Sequence, residues 1–338
     1  MFKQLLSKII AKQNLNEEEM SDMMMEIFSG KITDAQVGAF MGALATKGET
    51  FEELAGAATA MRRKAVRIEA NAPVIVDTCG TGGDGAKTFN ISTTTAFVVA
   101  GCGVTVAKHG NRSISSQCGS ADLLEALGMK IDIDPEIVEE AIAEIGIGFL
   151  FAPRYHSATQ FAANARKEIG LRSIFNMLGP LTNPAAANCQ LLGVYAPALT
   201  EMFAHALKML GAKRAFVVHG HDGLDEISVC APTRISELKE ERISTYDIMP
   251  EQFFGESADP EDLVGGDPKK NAEITNSILA GEKGPKRDIV LINTSAALIA
   301  AGIANNFADG LALAEKSIDN SDAANKLNAL ITFTRENG

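Results

Sequence analysis

The sequence predicts an α/β protein with an all-helical start and a mostly parallel sheet covered by helices. Three observations carry that expectation. Up to residue 66 the chain offers three helix-opening capping boxes and no strand signal. Beyond Pro73, short β-branched runs alternate with helical patterns, as in a parallel sheet with crossover helices. Twice a strand-like run leads into a loop of glycines or serines with fixed cations, and then into a helix. At 338 residues, 46% of them apolar, the chain can fill two domains or one large α/β unit.

Taken in order, "MFKQLLSKIIAKQ" places Phe2, Leu5, Leu6, Ile9 and Ile10 at helical spacing, and its lysines break up any signal-peptide core. This reads as an amphipathic surface helix. Asn16 with Glu19, Thr33 with Gln36, and Thr50 with Glu53 open the next three helices. Strands follow at "VIVD", "VTVA", "IGFLFA", "QLLGVYA" and "RAFVVHG". Asp134 before Pro135 marks a helix start and Gly146 its stop. "TRISELKEERISTYDIM" alternates around Glu240 and Glu241 as a solvent-facing hairpin would, and from 269 onward the pattern is helical again. The acidic, glycine-bearing stretch 255–268 is the candidate mobile loop, and there is no internal repeat or low-complexity tract.

Lys and Arg number 31 against 43 Asp and Glu, a net charge of -12. Such a surface repels nucleic acid and anionic membranes, so an anionic ligand must be held by a few local cations. The longest uncharged runs, 91–107 and 289–307, are laced with Ser, Thr, Asn and Gly, which argues against a membrane span and for a cytoplasmic protein. Cys79, Cys102, Cys118, Cys189 and Cys230 are odd in number and lack C-x-x-C spacing, so reduced structural thiols are expected rather than a disulfide framework or a structural zinc.

The stretch "DTCGTGGDGAKTFNIST" (77–93) carries Gly80, Gly82 and Gly85 in the G-x-G-x-x-G spacing of a dinucleotide site. That fingerprint needs an acidic residue at the end of the next strand. Here the next strand ends in Lys108, followed by His109, Asn111 and Arg112. A Walker loop fails too, because Ala86 follows Gly85 and the lysine comes one place late, at Lys87. What remains is a glycine turn for a pyrophosphate, with Asn90, Ser92 and Thr93 at a helix N-terminus that favours an anion. Asp84 fits a ligand that also offers hydroxyls, or a Mg²⁺ among the phosphates. It fits an Asx turn equally well.

"KHGNRSISSQCGSAD" (108–122) joins Lys108 and Arg112 to Ser113, Ser115, Ser116 and Ser120, a second set of phosphate donors between a strand and a helix. Two such loops imply a ligand with phosphate at both ends. In "HGHDGLDEIS" (219–228), His219, His221 and Asp222 lack the further ligands zinc needs. Asp225 and Glu226 suit Mg²⁺, or are solvated loop acids.

Together with "ARKEIGLRSIFNMLGPLTNPA" (165–185) and "DIVLINTSAALIAAG" (288–302), these stretches closely resemble the anthranilate phosphoribosyltransferase family in order and spacing along the whole chain. The resemblance implies the nucleoside phosphorylase/phosphoribosyltransferase type of fold. Its helical domain would cover 1–68, joined by part of 165–185, and its larger α/β domain 69–338. It also implies transfer of the phosphoribosyl group of 5-phosphoribosyl 1-pyrophosphate (PRPP) to the amine of anthranilate, in tryptophan synthesis. PRPP carries two phosphate ends, hydroxyls and Mg²⁺, which accounts for Asp84.

Carried over by position, Gly80, Gly83, Asp84, Thr88, Asn90, Ile91, Ser92, Thr93, Lys108, Asn111, Arg112, Ser113, Ser115, Ser116 and Ser120 would contact PRPP. Ser92, Asp225 and Glu226 would bind Mg²⁺, two ions per subunit. Gly80, His109, Asn111, Arg166 and Gly179 would surround anthranilate. The family implies a homodimer joined through the helical part, loose association with anthranilate synthase components, and no nucleic acid or membrane partner. Lys108 would stabilise the leaving pyrophosphate, Arg166 would pair with the anthranilate carboxylate, and His109 would accept the amine proton or form a polar wall. The family's requirement at Cys79 and Cys118, which flank the phosphate loops, is open. Two rivals share the fold: a pyrimidine nucleoside phosphorylase, which would not need Asp225 and Glu226, and a non-catalytic nucleic-acid binder, which the net charge opposes.

Overall fold

The computed structural model describes residues 1–83, 85–113 and 117–338. Four helices open the chain: α1 (Phe2–Ile10), α2 (Glu17–Phe28), α3 (Asp34–Lys47) and α4 (Phe51–Lys64). The last three start with the three capping boxes read from the sequence. In α1 only Phe2, Leu5 and Ile9 are buried, while Ile10 is 64% exposed, so the apolar stripe is narrower than the sequence suggests. Glu53 does more than cap. Fully buried, it accepts from the amides of Leu15 and Thr50 and from Lys47 Nζ, each at 2.9 Å, joining the ends of three helices.

The sheet has the order β3-β2-β1-β4-β5-β6-β7. Its parallel part comprises β1 (Ile75–Gly80), β2 (Thr105–Gly110), β3 (Ile147–Phe151), β4 (Cys189–Gly193) and β5 (Arg214–Gly220). The expected hairpin, β6 (Thr233–Lys239) and β7 (Arg242–Ile248), extends it antiparallel. Glu240 and Glu241 turn it at φ 49° and 61°, the left-handed pair that a two-residue hairpin turn demands.

Helices α5 (Ile91–Gly101), α6 (Ser120–Ala126), α7 (Pro135–Ile145), α8 (Ala152–Tyr155), α9 (Gln160–Ile169), α10 (Phe175–Leu178) and α11 (Leu199–Met209) fill the crossovers. The chain ends in α12 (Glu251–Phe254), α13 (Pro268–Leu279), α14 (Pro285–Ala300), α15 (Phe307–Asp319) and α16 (Asp322–Asn337). Among the described residues no helix is long and apolar enough to cross a membrane.

Side chains alternate across each strand, and two large cores result. Val76, Val106, Leu191 and Phe216 face the core of α5, α14, α15 and α16. Cys79, Leu192, Ala215 and Val217 face α1–α4, α11 and the segment from Ala162 to Leu181. The architecture is an N-terminal helical bundle on a larger α/β unit with a mostly parallel sheet flanked by helices.

Three local expectations change. Strand β2 runs on to Gly110, so Lys108 and His109 are strand residues with opposite facing, not loop residues. Asp134 stands at the N-cap before Pro135, and Gly146 ends the helix at φ 87°, but the Asp134 side chain pairs with Arg154 rather than capping. The stretch 255–268 is tied down by a Thr88–Val264 bridge, by Phe89 N–H to Leu263 O at 3.2 Å, and by Gly265 N–H to Lys87 O at 2.8 Å.

Candidate active site

The neighbouring strands β1 and β4 send the chain in opposite directions, β1 onward to β2 and β3, β4 onward to β5. Ligands of open α/β sheets bind at the carboxyl ends of such a switch point. Gly80 and Gly193 pair there, and the loop after β5 crosses directly above them. A Cβ on Gly193 would lie 1.5 Å from the Asp225 carbonyl oxygen, and one on Gly80 2.3 Å from Asp225 Oδ2. Both glycines therefore admit the carboxylate loop. Gly80 is the last strand residue, and the turn itself is made by Gly82, Gly83 and Gly85 at φ 63°, 75° and 74°, values that glycine adopts without strain. Asp84, Ser115 and Ser116 lie outside the described residues.

Asp225 Oδ2 accepts from the Gly82 amide at 2.8 Å, and Glu226 Oε1 from the Ser92 amide at 3.1 Å. The acidic pair thus spans the glycine turn and the N-terminus of α5, the two anion-seeking elements of the first motif. Among the described residues no group of three or more His, Cys, Asp or Glu could hold a metal by itself. One or two carboxylates together with substrate phosphates and water are the usual Mg²⁺ environment, so the oxygen donors Asp225, Glu226 and Ser92 fit Mg²⁺. The histidines of that loop diverge. His219 is buried against the Val194 carbonyl at 2.7 Å, and exposed His221 faces Asp247 at 3.7 Å.

Several residues read from the sequence as phosphate donors join loop to loop. Asn90 Nδ2 donates to the Cys118 carbonyl at 3.0 Å while its Oδ1 accepts from Asn271 at 2.9 Å, so Asn90 stitches the loop after β1 to the one after β2. Ser120 Oγ accepts from the Asn111 amide and donates to the Asn111 carbonyl, both at 3.2 Å. Arg112 is clasped by Glu125, at 2.5 and 2.8 Å, and by Asp122 at 3.1 Å, which raises its pKa further. Ser113 places its amide on Asp122 at 3.1 Å. Ile91 and Thr93 are buried in the first turn of α5, and Thr88 is held in the bridge to Val264. Buried Lys108 lies on the α5 face beside Thr93, its Nζ donating to the Thr78 carbonyl at 2.5 Å.

The other face of β2 carries His109. Its Nδ1 lies 3.2 Å from the Gly179 carbonyl, and its Nε2 3.2 Å from His156 Nε2. A carbonyl only accepts, so Nδ1 bears the proton. Burial, then the neighbouring His156, push the His109 pKa down to about 3, and burial pushes His156 down to about 4. Both rings are neutral at physiological pH. Segment 179–183, which presents Gly179, is gripped from several sides. Arg62 of α4 donates to the Leu181 carbonyl at 2.7 Å and Gln190 to the Pro180 carbonyl at 2.8 Å. Asn183 Nδ2 donates to Asp77 Oδ2 at 2.8 Å and to the Ala107 carbonyl at 2.7 Å.

Half-buried Arg166 of α9 lies 5.4 Å from the centre of the Phe175 ring, and burial lowers its pKa. Arg172 donates to the Gly83 carbonyl and sits 4.2 Å above the Tyr195 ring, linking the segment after α9 to the glycine turn. Sequence reasoning missed Asp77, His156, Arg172, Asn183 and Asn271. His156, in "PRYHSATQ", is an isolated histidine with no motif around it, and Asp77 reads as the plain end of a strand.

Two family models match: the helical bundle domain of the glycosyl transferase family over residues 3–65, and its a/b domain over 72–324. The chain is 69% identical over 332 residues, 98% of either chain, to the anthranilate phosphoribosyltransferase of Syntrophobacter fumaroxidans. Among solved structures, the anthranilate phosphoribosyltransferase of Thermus thermophilus is 40% identical, with a TM-score of 0.92 over 98% of this chain and 99% of that one. The anthranilate phosphoribosyltransferase of Saccharomyces cerevisiae in complex with PRPP and Mg is 29% identical, with a TM-score of 0.91 over 99% and 98%.

Proposed function

The chain belongs to the anthranilate phosphoribosyltransferase family, and from that membership we infer that it transfers the 5-phosphoribosyl group of PRPP to the amine of anthranilate. The products are N-(5-phosphoribosyl)anthranilate and pyrophosphate. The observation that carries the reading is the placement of the Asp225 and Glu226 carboxylates on the glycine turn and on the N-terminus of α5. That arrangement suits a ligand bearing phosphate and metal.

Loss of pyrophosphate builds negative charge on the leaving group and positive charge on the ribose ring, so catalysis is electrostatic. We assign the leaving group to the amides of the glycine turn after β1 and to Lys108 at the end of β2, and the other phosphate end to the N-terminus of α5 and the loop that follows β2. Asp225, Glu226 and Ser92 would hold Mg²⁺, two ions per site, and bound Mg²⁺ supplies positive charge at the departing pyrophosphate. Arg166 offers a planar fork to the anthranilate carboxylate, with Asn111, Gly80 and Gly179 around it. His109, neutral and already donating to Gly179, suits a polar wall better than a general base. A base this weak takes a proton only late, from nitrogen already bonded to carbon. The dimer through the helical part and the loose association with anthranilate synthase components are proposed on family grounds.

Anthranilate fluorescence should decay when protein meets PRPP and Mg²⁺, and excess EDTA should stop the decay while far-ultraviolet circular dichroism stays constant. Persistent fluorescence with folded protein, or phosphorolysis of uridine without Mg²⁺, would overturn the assignment.

A further inference from the structure

We propose that Asn293, midway along buried helix α14, is a positioning residue for the carboxylates of Asp225 and Glu226, a role that rests on reading those two as Mg²⁺ ligands. Asn293 is fully buried. Its Oδ1 accepts from the Ile227 amide at 3.0 Å, and its Nδ2 donates to the Ile227 carbonyl at 2.9 Å and to the Ile289 carbonyl at 2.8 Å. One side chain thus satisfies both backbone groups of Ile227, as a neighbouring strand would. Ile227 immediately follows the acidic pair and is 1% exposed. On the other side of the pair, the Leu224 carbonyl accepts from the amide of Gly220, the last residue of β5, at 2.9 Å. Asp225 and Glu226 are therefore strung between two fixed points, one on the sheet and one on α14.

The helix itself has no use for an amide there. Thr294 and Ser295 apart, the buried neighbours Ile289, Val290, Leu291, Ile292, Ala296 and Ala297 around Asn293 are apolar, and alanine is the better helix former. The amide answers a need of the loop. That need is stringent, since Mg²⁺ tolerates only small departures from octahedral contacts of about 2.0–2.1 Å.

The experiment uses Mn²⁺ as a paramagnetic probe, titrated into the full chain with PRPP present and read as free ion by electron paramagnetic resonance. Asn293→Ala should weaken Mn²⁺ binding about tenfold or more, as loss of a group supporting a metal ligand does. Asn293→Ser, whose hydroxyl can bond one of the two Ile227 groups, should weaken it less, and it carries the test should the alanine variant not fold. The anthranilate KM should stay within about twofold, the margin for a site whose contacts are untouched. Ile318→Ala, a buried change on α15, controls for lost stability and should leave Mn²⁺ binding unaltered. The proposal is overturned if Asn293→Ala and Asn293→Ser bind Mn²⁺ like the parent while Asp225→Asn and Glu226→Gln do not, or if Ile318→Ala weakens binding equally. Parent-like binding in Asp225→Asn and Glu226→Gln would instead overturn the metal reading beneath it.

Discussion

In the proposed reading, Arg166 and the histidine pair divide the acceptor side between a charge and a neutral wall. Replacing Arg166 by Ala should cost about 1.5 to 3 kcal/mol, the scale of a hydrogen bond to a charged group. The loss should appear as a raised anthranilate KM with the PRPP KM little changed, and an unchanged anthranilate KM would remove Arg166 from the site. His109 and His156 titrate in the folded protein near 3 and 4, against an ordinary 6.5. The unfolded chain therefore binds more protons in mild acid, and stability rises with pH. The contribution is complete above about 6.5 and is lost as pH falls towards 4 and then 3. Asp77, which burial holds above the usual carboxylate value, acts in the opposite sense. Urea unfolding at pH 7 and pH 5 should show a drop of at most about 1.4 kcal/mol per pH unit per histidine. His109→Gln and His156→Gln should each flatten the slope, and an unaltered slope in both would refute the buried neutral pair.

At the scale of elements, the sequence was legible wherever the signal is local. The capping boxes at Asn16, Thr33 and Thr50 and the hairpin at Glu240 and Glu241 need only neighbours a few residues away. The reach of β2 to Gly110 was not legible, because a strand's end depends on the pairing of His109 and Gly110 with Leu150 and Phe151 of β3. Gly193 was passed over for the same reason, since its demand for a hydrogen comes from Asp225, 32 positions on. Gly193→Ala should displace the Asp225 loop and abolish Mg²⁺-dependent turnover in a protein that still folds, and near-parental activity would show that the loop has room to spare. Glu53→Ala leaves the buried Lys47 ammonium without its carboxylate, only the neutral oxygens of Asn14 and Gly48 remaining to it, and equilibrium unfolding should register a loss of about 3 to 5 kcal/mol. A loss under about 1 kcal/mol would mean that Lys47 reaches water, as exposed pairs do.

At the scale of the whole molecule, the sequence predicted the kinds of layer but not their joints. Glu226 meets the Ser92 amide and Asn183 meets Asp77 across long chain separations, set by a strand order that no local pattern encodes. The joint between the helical layer and the segment 179–183 is Arg62, whose burial lowers its pKa to about 10 and whose guanidinium serves carbonyls at Leu181 and Leu210. Arg62→Leu leaves both carbonyls unpaired, which costs roughly 1–3 kcal/mol for each group that stays dry. It should raise the anthranilate KM more than the PRPP KM, and equal effects on both would assign Arg62 to stability alone.

The helical layer has a further consequence, in the order of events during synthesis. Its core also takes in Ala162, Ala165, Phe175, Met177 and Leu178, and then Leu192, Phe203 and Leu207, all of which the ribosome delivers only after α1–α4 and the first three strands have emerged. Until then Phe28, Phe40 and Met24 have no complete set of neighbours, and a nascent chain stopped before α9 exposes apolar surface at its oldest end. Domains usually fold in the order in which they are made. Here the first part made is completed only by segments made later, and one of them, 162–178, carries Arg166, the residue proposed to meet the anthranilate carboxylate.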